Sequence, residues 1–80
     1  ADIPLRLFPN PSNGHVTVDA DGTEVGSIRM SDLYGRTAFT ADLHNTKTPL
    51  TFNLPLPDGI YFVELRTNGG TTHSKLIIIR

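Results

Sequence analysis

Cysteine is absent from these 80 residues, and so is tryptophan. The first absence removes disulfides, thiolate metal sites and cysteine nucleophiles together. Positive charge is not in excess either: Lys+Arg is 7 against Asp+Glu 8, a formal net charge of −1, and the basic residues are dispersed from Arg6 to Arg80. Nucleic acid and anionic membrane surfaces both require clustered positive charge, so neither fits as the main partner. No apolar run approaches the roughly 20 residues that a membrane-spanning helix needs, which argues against direct membrane insertion. No signal peptide is present, but Ala1 looks like a cut point inside a longer chain, so this absence assigns no compartment. Helical patterning is missing as well, since no apolar stripe at helical spacing persists for three turns.

What is there reads as strands and turns. Six prolines, seven glycines and ten threonines are poor material for helices. At 38% hydrophobic and 19% charged, the composition is that of a globular chain. A chain of this size buries only about 60% of its unfolded surface, so one domain with a thin core is expected over residues 1–80. Leu5 to Phe8 is a short first strand, closed by the turn-rich run Pro9 to Gly14. His15 to Ala20 alternates with Val16, Val18 and Ala20 inward, and Asp21-Gly22 is a two-residue hairpin signal. Val25 to Leu33 follows with Ile28 and Met30 inward, and Tyr34-Gly35-Arg36 turns the chain. Thr37 to Leu43 pairs back, and His44 to Pro49 reads as a polar loop. Leu50 to Leu54 is stopped by Pro55 and Pro57. Gly59 to Thr67 is the strongest strand, and Asn68-Gly69-Gly70 turns into the last, Thr71 to Arg80. About seven strands at this spacing predict an all-β, immunoglobulin-like antiparallel sandwich.

Pro57-Asp58-Gly59-Ile60-Tyr61 sharpens that expectation. Immunoglobulin-like sandwiches place a Tyr near the start of such a strand, with its hydroxyl bonded back to the corner backbone. Tyr61, Val63 and Leu65 then face the core, and Ile60 and Phe62 lie on the other face beside Glu64 and Arg66. Val63 takes the position that antibody domains give to a disulfide cysteine.

Chemistry is sparse. His15, His44 and His73 share no metal-ligand spacing, and the serines lack a nucleophile-elbow context. A domain this small has little room for a deep pocket, so catalysis and a cofactor are not expected. Asp19-Ala20-Asp21-Gly22-Thr23-Glu24 superficially resembles the start of a calcium loop, but it lacks the distal bidentate Glu and the flanking helices. A solvated hairpin tip is the simpler reading. The last strand, Lys75-Leu76-Ile77-Ile78-Ile79-Arg80, is apolar on both faces: alternation sends Leu76 and Ile78 one way, Ile77 and Ile79 the other. Two readings stand. It is a buried strand with Lys75 and Arg80 as charged gatekeepers, or an edge that another protein recognises by strand addition.

Four fragments occur in order: Phe8-Pro9-Asn10-Pro11-Ser12-Asn13-Gly14, Met30-Ser31-Asp32-Leu33-Tyr34-Gly35-Arg36, Leu56-Pro57-Asp58-Gly59-Ile60-Tyr61-Phe62-Val63, and Lys75 to Arg80. Together they resemble the type A C-terminal sorting domain of the type IX secretion system, from about Ile3 to Arg80. The resemblance implies the tail of a larger secreted protein, with a cargo domain upstream. It implies export into the periplasm, recognition by an outer-membrane shuttle, passage through a translocon to the cell surface or medium, and removal by a cysteine-peptidase-like sortase. Pro9, Asn10, Pro11 and Gly14 match the first motif and are expected to shape the turn between the first two strands. Asp32, Gly35 and Arg36 match the second, with Gly35 supplying a positive φ and Asp32 accepting from turn amides. Gly59 and Tyr61 match the corner. Lys75, Leu76, Ile77, Ile78, Ile79 and Arg80 match the terminal motif, which is implicated in translocation; Ser31 departs mildly from the family's second aliphatic. A sorting tail is expected to end its parent at Arg80.

The alternative is a carbohydrate-binding or adhesive immunoglobulin-like accessory domain of an extracellular enzyme. Without tryptophan, an aromatic platform would need the remaining rings. Most of Phe8, Tyr34, Phe39, Phe52, Tyr61 and Phe62 occupy strand positions expected to be buried, with Tyr34 the main exposed one.

Overall fold

The structure is a computed structural model and describes residues 5–80; Ala1 and Ile3, invoked above, lie outside the described residues. Among the described residues there are seven strands: β1 (Arg6–Phe8), β2 (His15–Asp19), β3 (Glu24–Ser31), β4 (Thr37–Lys47), β5 (Leu50–Asn53), β6 (Gly59–Thr67) and β7 (Gly70–Ile78). They form a three-stranded sheet ordered β1-β2-β5 and a four-stranded sheet ordered β4-β3-β6-β7. Every pairing between these strands is antiparallel. The fold is an immunoglobulin-like sandwich, because the chain crosses between sheets after β2, after β4 and after β5.

Alternation along each strand builds the core. Val16 and Val18 of β2 face Ile28 and Met30 of β3, Val63 and Leu65 of β6, and Leu76 and Ile78 of β7; all are fully buried. Leu7, Ala20, Val25, Leu54, Leu56 and Tyr61 complete the cluster, and Phe39, Leu43, Leu50 and Phe52 pack against it. The Tyr61 hydroxyl donates to the Pro57 carbonyl at 2.7 Å. This bond ties the start of β6 to the corner before it, and it satisfies a phenol that the core could not otherwise hold.

Three local expectations are corrected. Asp21-Gly22 does turn the chain, with φ of 57° and 75° and a Thr23 N–H to Ala20 carbonyl bond of 3.1 Å. It is not a hairpin, however: β2 pairs with β1 and β5 while β3 pairs with β4 and β6, so the turn carries the chain from one sheet to the other. The polar run from His44 is not a loop throughout. β4 continues to Lys47, with Thr46 and Lys47 opposite Val25 and Glu24. His44 and Asn45, both at positive φ, bulge out of the ladder to permit it. An edge strand with a solvated face tolerates polar residues, so polarity there did not mark a strand end. Finally, among the six aromatic residues only Tyr61 is buried. Phe39 and Phe52 are half-buried and meet edge to face at 6.0 Å, whereas Phe8, Tyr34 and Phe62 are exposed.

Candidate functional site

The register gathers all four motifs at one end of the sandwich. Ser31 lies opposite Phe62, Phe62 opposite Lys75, and Gly59 opposite Ile78. The β3–β4 turn, the corner before β6 and the end of β7 therefore sit side by side.

The first motif closes this end. After Phe8 the chain leaves β1 through Pro9-Asn10-Pro11, and neither proline has an N–H to offer. The Asn10 side chain substitutes for a strand backbone instead. Its Nδ2 donates to the Lys75 carbonyl at 2.9 Å and its Oδ1 accepts from the Ile77 N–H at 3.0 Å. Ser12 then continues along β7 as a parallel bridge. Its N–H donates to the Ile77 carbonyl at 2.7 Å and its carbonyl accepts from Ile79 N–H at 2.8 Å. The buried Ser12 hydroxyl donates to the His15 carbonyl at 2.9 Å and accepts from Gly14 N–H at 3.0 Å. Sequence reasoning missed Ser12. Its hydrogen-bonding partners on β7 are more than 60 residues away, and the only local sign was a hydroxyl two residues before a glycine.

Arg80 is folded back onto the body of the domain. Its guanidinium donates to the carbonyls of Leu54, at 2.8 Å, and Leu56, and its backbone N–H donates to Asp58 Oδ1 at 3.1 Å. Gly14 makes room for it. Gly14 has φ +104°, and a Cβ there would lie 2.5 Å from an Arg80 guanidinium nitrogen. The first and last motifs thus depend on each other sterically.

The second motif is a self-contained turn. Asp32 Oδ1 accepts from Tyr34 N–H at 2.9 Å and Arg36 N–H at 3.0 Å, while Oδ2 pairs with Arg36 Nε at 3.0 Å. Gly35 has φ 79°, and the Arg36 guanidinium lies 5.4 Å from the Tyr34 ring centre. Partial desolvation pushes the Asp32 carboxyl pKa up, but the two backbone donors and the Arg36 charge together outweigh it. They hold the group below its ordinary 3.8.

Apolar exposure is concentrated here too. Among the described residues the exposed large hydrophobic side chains are Phe8, Leu33, Tyr34, Ile60, Phe62 and Ile79. All but Phe8 belong to the β3–β4 turn, to the outward face of β6, or to the residue just after β7, Ile79. Ile60 lies opposite the half-buried Ile77. Of the terminal motif, Leu76 and Ile78 are core residues, whereas Lys75, Ile77 and Ile79 face outward.

Elsewhere the candidate chemistry is accounted for locally. Asp19 Oδ2 pairs with Arg6 at 2.8 Å and Oδ1 accepts from Asp21 N–H, so that carboxylate closes a turn. His15 bonds Asn53, and His73 lies 3.3 Å from Glu64. No cluster of three metal-ligating side chains occurs among the described residues.

No curated protein matches the chain. The family model for the secretion system C-terminal sorting domain matches residues 6–79. That span takes in all seven strands and, Arg80 aside, the motifs gathered at one end of the sandwich, so the chain belongs to the C-terminal sorting domain family of the type IX secretion system.

Proposed function

We propose that this domain is the address of a cargo protein attached ahead of it, read in the periplasm by the outer-membrane shuttle and later removed by a sortase. The observation that carries this reading is the convergence of the family's motifs and of the exposed apolar side chains on one end of the fold, around β7. A contiguous exposed apolar surface on a small domain marks a binding surface more often than chance exposure. Membership in a family of sorting signals rather than catalysts points the same way. In this reading Lys75, Ile77 and Ile79 are contact residues together with Ile60 and Phe62. Leu76 and Ile78 act through the fold, and Arg80 holds the terminal strand to the body.

The test fuses residues 1–80 to the C-terminus of a fluorescent reporter with an inner-membrane export signal, in a host with a functional type IX system. The intact fusion is expected at the surface or in the medium, and a Phe62→Ser, Ile79→Ser fusion is expected to accumulate in the periplasm while still folded. Retention of the intact fusion while the host exports its own cargo overturns the reading. The carbohydrate-binding alternative draws on the exposed Phe8, Tyr34 and Phe62. Phe8 and Phe62 belong to different sheets, which is unlike a shared platform, and a glycan-binding screen tests it.

A further inference from the structure

Register sets the order of side chains on the outward face of the four-stranded sheet. Met30, Val63 and Leu76 are buried and mark the inward positions of β3, β6 and β7. Arg29, Ser31, Phe62, Glu64, His73 and Lys75 therefore point outward. Phe62 sits between Ser31 on β3 and Lys75 on β7, and Glu64 sits between Arg29 and His73 in the next row. Lys75 is thus directly beside Phe62, and Arg29 is a diagonal neighbour. Arg29 turns further toward the Phe62 row. Its Nε donates at 2.8 Å to the hydroxyl of Thr37, which lies opposite Ser31.

Charges on this sheet and its turns are unevenly matched. The carboxylates already have partners within the domain. Glu64 lies 3.3 Å from His73 and 3.8 Å from Arg66, and Asp32 pairs with Arg36 at 3.0 Å. Asp42 lies 3.5 Å from His44, and Asp58 lies 3.8 Å from Arg80. Arg29 and Lys75 are exposed, and among the described residues neither pairs with a carboxylate. Arg29 bonds a hydroxyl although Glu64 is opposite it across the strand pair. An exposed aromatic ring between two such cations has the layout of an interface anchor with a charged rim. The rim fixes the sign of what docks there: an acidic partner gains two charge pairs, and a basic one meets two like charges.

We infer that this face docks on an acidic protein surface, with Phe62 entering an apolar pocket and partner carboxylates pairing with Lys75 and Arg29. The inference rests on the sorting reading and gives the shuttle's contact region its chemistry, an apolar pocket rimmed by Asp or Glu. Arg29 belongs to none of the four motifs. It joins the contact residues only because β3 and β7 both pair with β6.

Affinity of the 80-residue chain for detergent-solubilised type IX outer-membrane shuttle tests it, measured at low and at physiological salt. Lys75→Gln and Arg29→Gln are each expected to weaken binding about fivefold to tenfold, and Lys75→Glu further, with a smaller loss of affinity on adding salt. Phe62→Ser is expected to weaken binding at least about tenfold while keeping the parent's salt dependence. Lys47→Gln, at the far end of β4, is expected to bind like the parent. Circular dichroism melts verify that each variant is folded. Parent-like affinity of the Lys75 and Arg29 variants overturns the acidic partner, and the sorting reading survives if the parent binds. Tighter binding of Lys75→Glu overturns it as well, and so does parent-like binding of Phe62→Ser, which removes the pocket. Equal weakening by Lys47→Gln overturns it too, because the charge would then act at a distance rather than by contact. Binding of the parent to vesicles of anionic phospholipid, lost in Lys75→Glu, overturns it in favour of a membrane surface. Absence of binding to the shuttle by every chain, the parent included, removes the sorting reading and this inference with it.

Discussion

Asp32 is exposed enough to be solvated and still accepts three hydrogen bonds from its own turn. Its folded-state pKa lies below the unfolded value. The charged form is therefore favoured by folding: the stabilisation is present above the unfolded pKa and is lost as pH falls through the folded one. Asp32→Asn is expected to lower the melting temperature relative to the parent above about pH 5, with the gap closing toward pH 2. Melts across that range check this, and a gap independent of pH refutes it. Tyr61 is the other residue whose chemistry is concentrated in one bond. Tyr61→Phe leaves the Pro57 carbonyl without its partner and is expected to cost about 1–2 kcal/mol, measured by urea unfolding. Both residues were legible beforehand, because turn chemistry and the corner motif act over four residues.

At the scale of elements, the informative pair is the first loop and the end of β7. Gly14→Ala is expected to destabilise by about 1–3 kcal/mol, from its positive φ and from displacement of Arg80. Arg80→Ala loses bonds to two carbonyls but comes from a side chain 41% exposed, so its own effect is screened and smaller. In the Arg80→Ala background, Gly14→Ala should cost less by about 0.5–2 kcal/mol, leaving only the backbone penalty. A double-mutant cycle measures this coupling, and strict additivity would place Arg80 elsewhere. None of it was legible from local sequence. Proline and glycine announced a turn, but which strand the turn would cover depends on segments more than 60 residues apart. The bulge in β4 eluded local reading for a related reason. His44 and Asn45 are polar turn-formers, and only the renewed pairing of Thr46 and Lys47 with β3 shows that the strand resumes.

For the whole molecule the terminal strand has two roles that removal of Lys75 to Arg80 would confound. Leu76 and Ile78 are fully buried, and truncating such a residue even to Ala costs about 2–5 kcal/mol. A domain of this kind has a total stability of only about 5–15 kcal/mol. Deleting the last six residues is expected to unfold the domain, seen as loss of the β-sheet circular dichroism signal. Ile77→Ser and Ile79→Ser should stay folded within about 1 kcal/mol of the parent. A folded deletion mutant would show that β7 is dispensable to the core. The surface substitutions are thus the ones that separate an address from a structural strand.

The sequence by itself determined what depends on neighbours along the chain. Alternation of period two set which side chains of β2, β3, β6 and β7 point inward; glycine, asparagine and proline set the turns; and Tyr61 set the corner. The mixed face of Ile60, Phe62, Glu64 and Arg66 was equally plain, since a strand's two faces follow from its register alone. Tertiary structure decided what depends on distant partners. It sent β2 and β3 to different sheets across Asp21-Gly22, left Phe8 and Phe62 exposed, and laid Asn10 and Ser12 along β7. It also seated Arg80 beside Gly14. The physical reason is that side-chain direction and turn dihedrals are local properties. Covering an edge, by contrast, requires two remote segments to meet, and their hydrogen bonds exist only once the sandwich has closed.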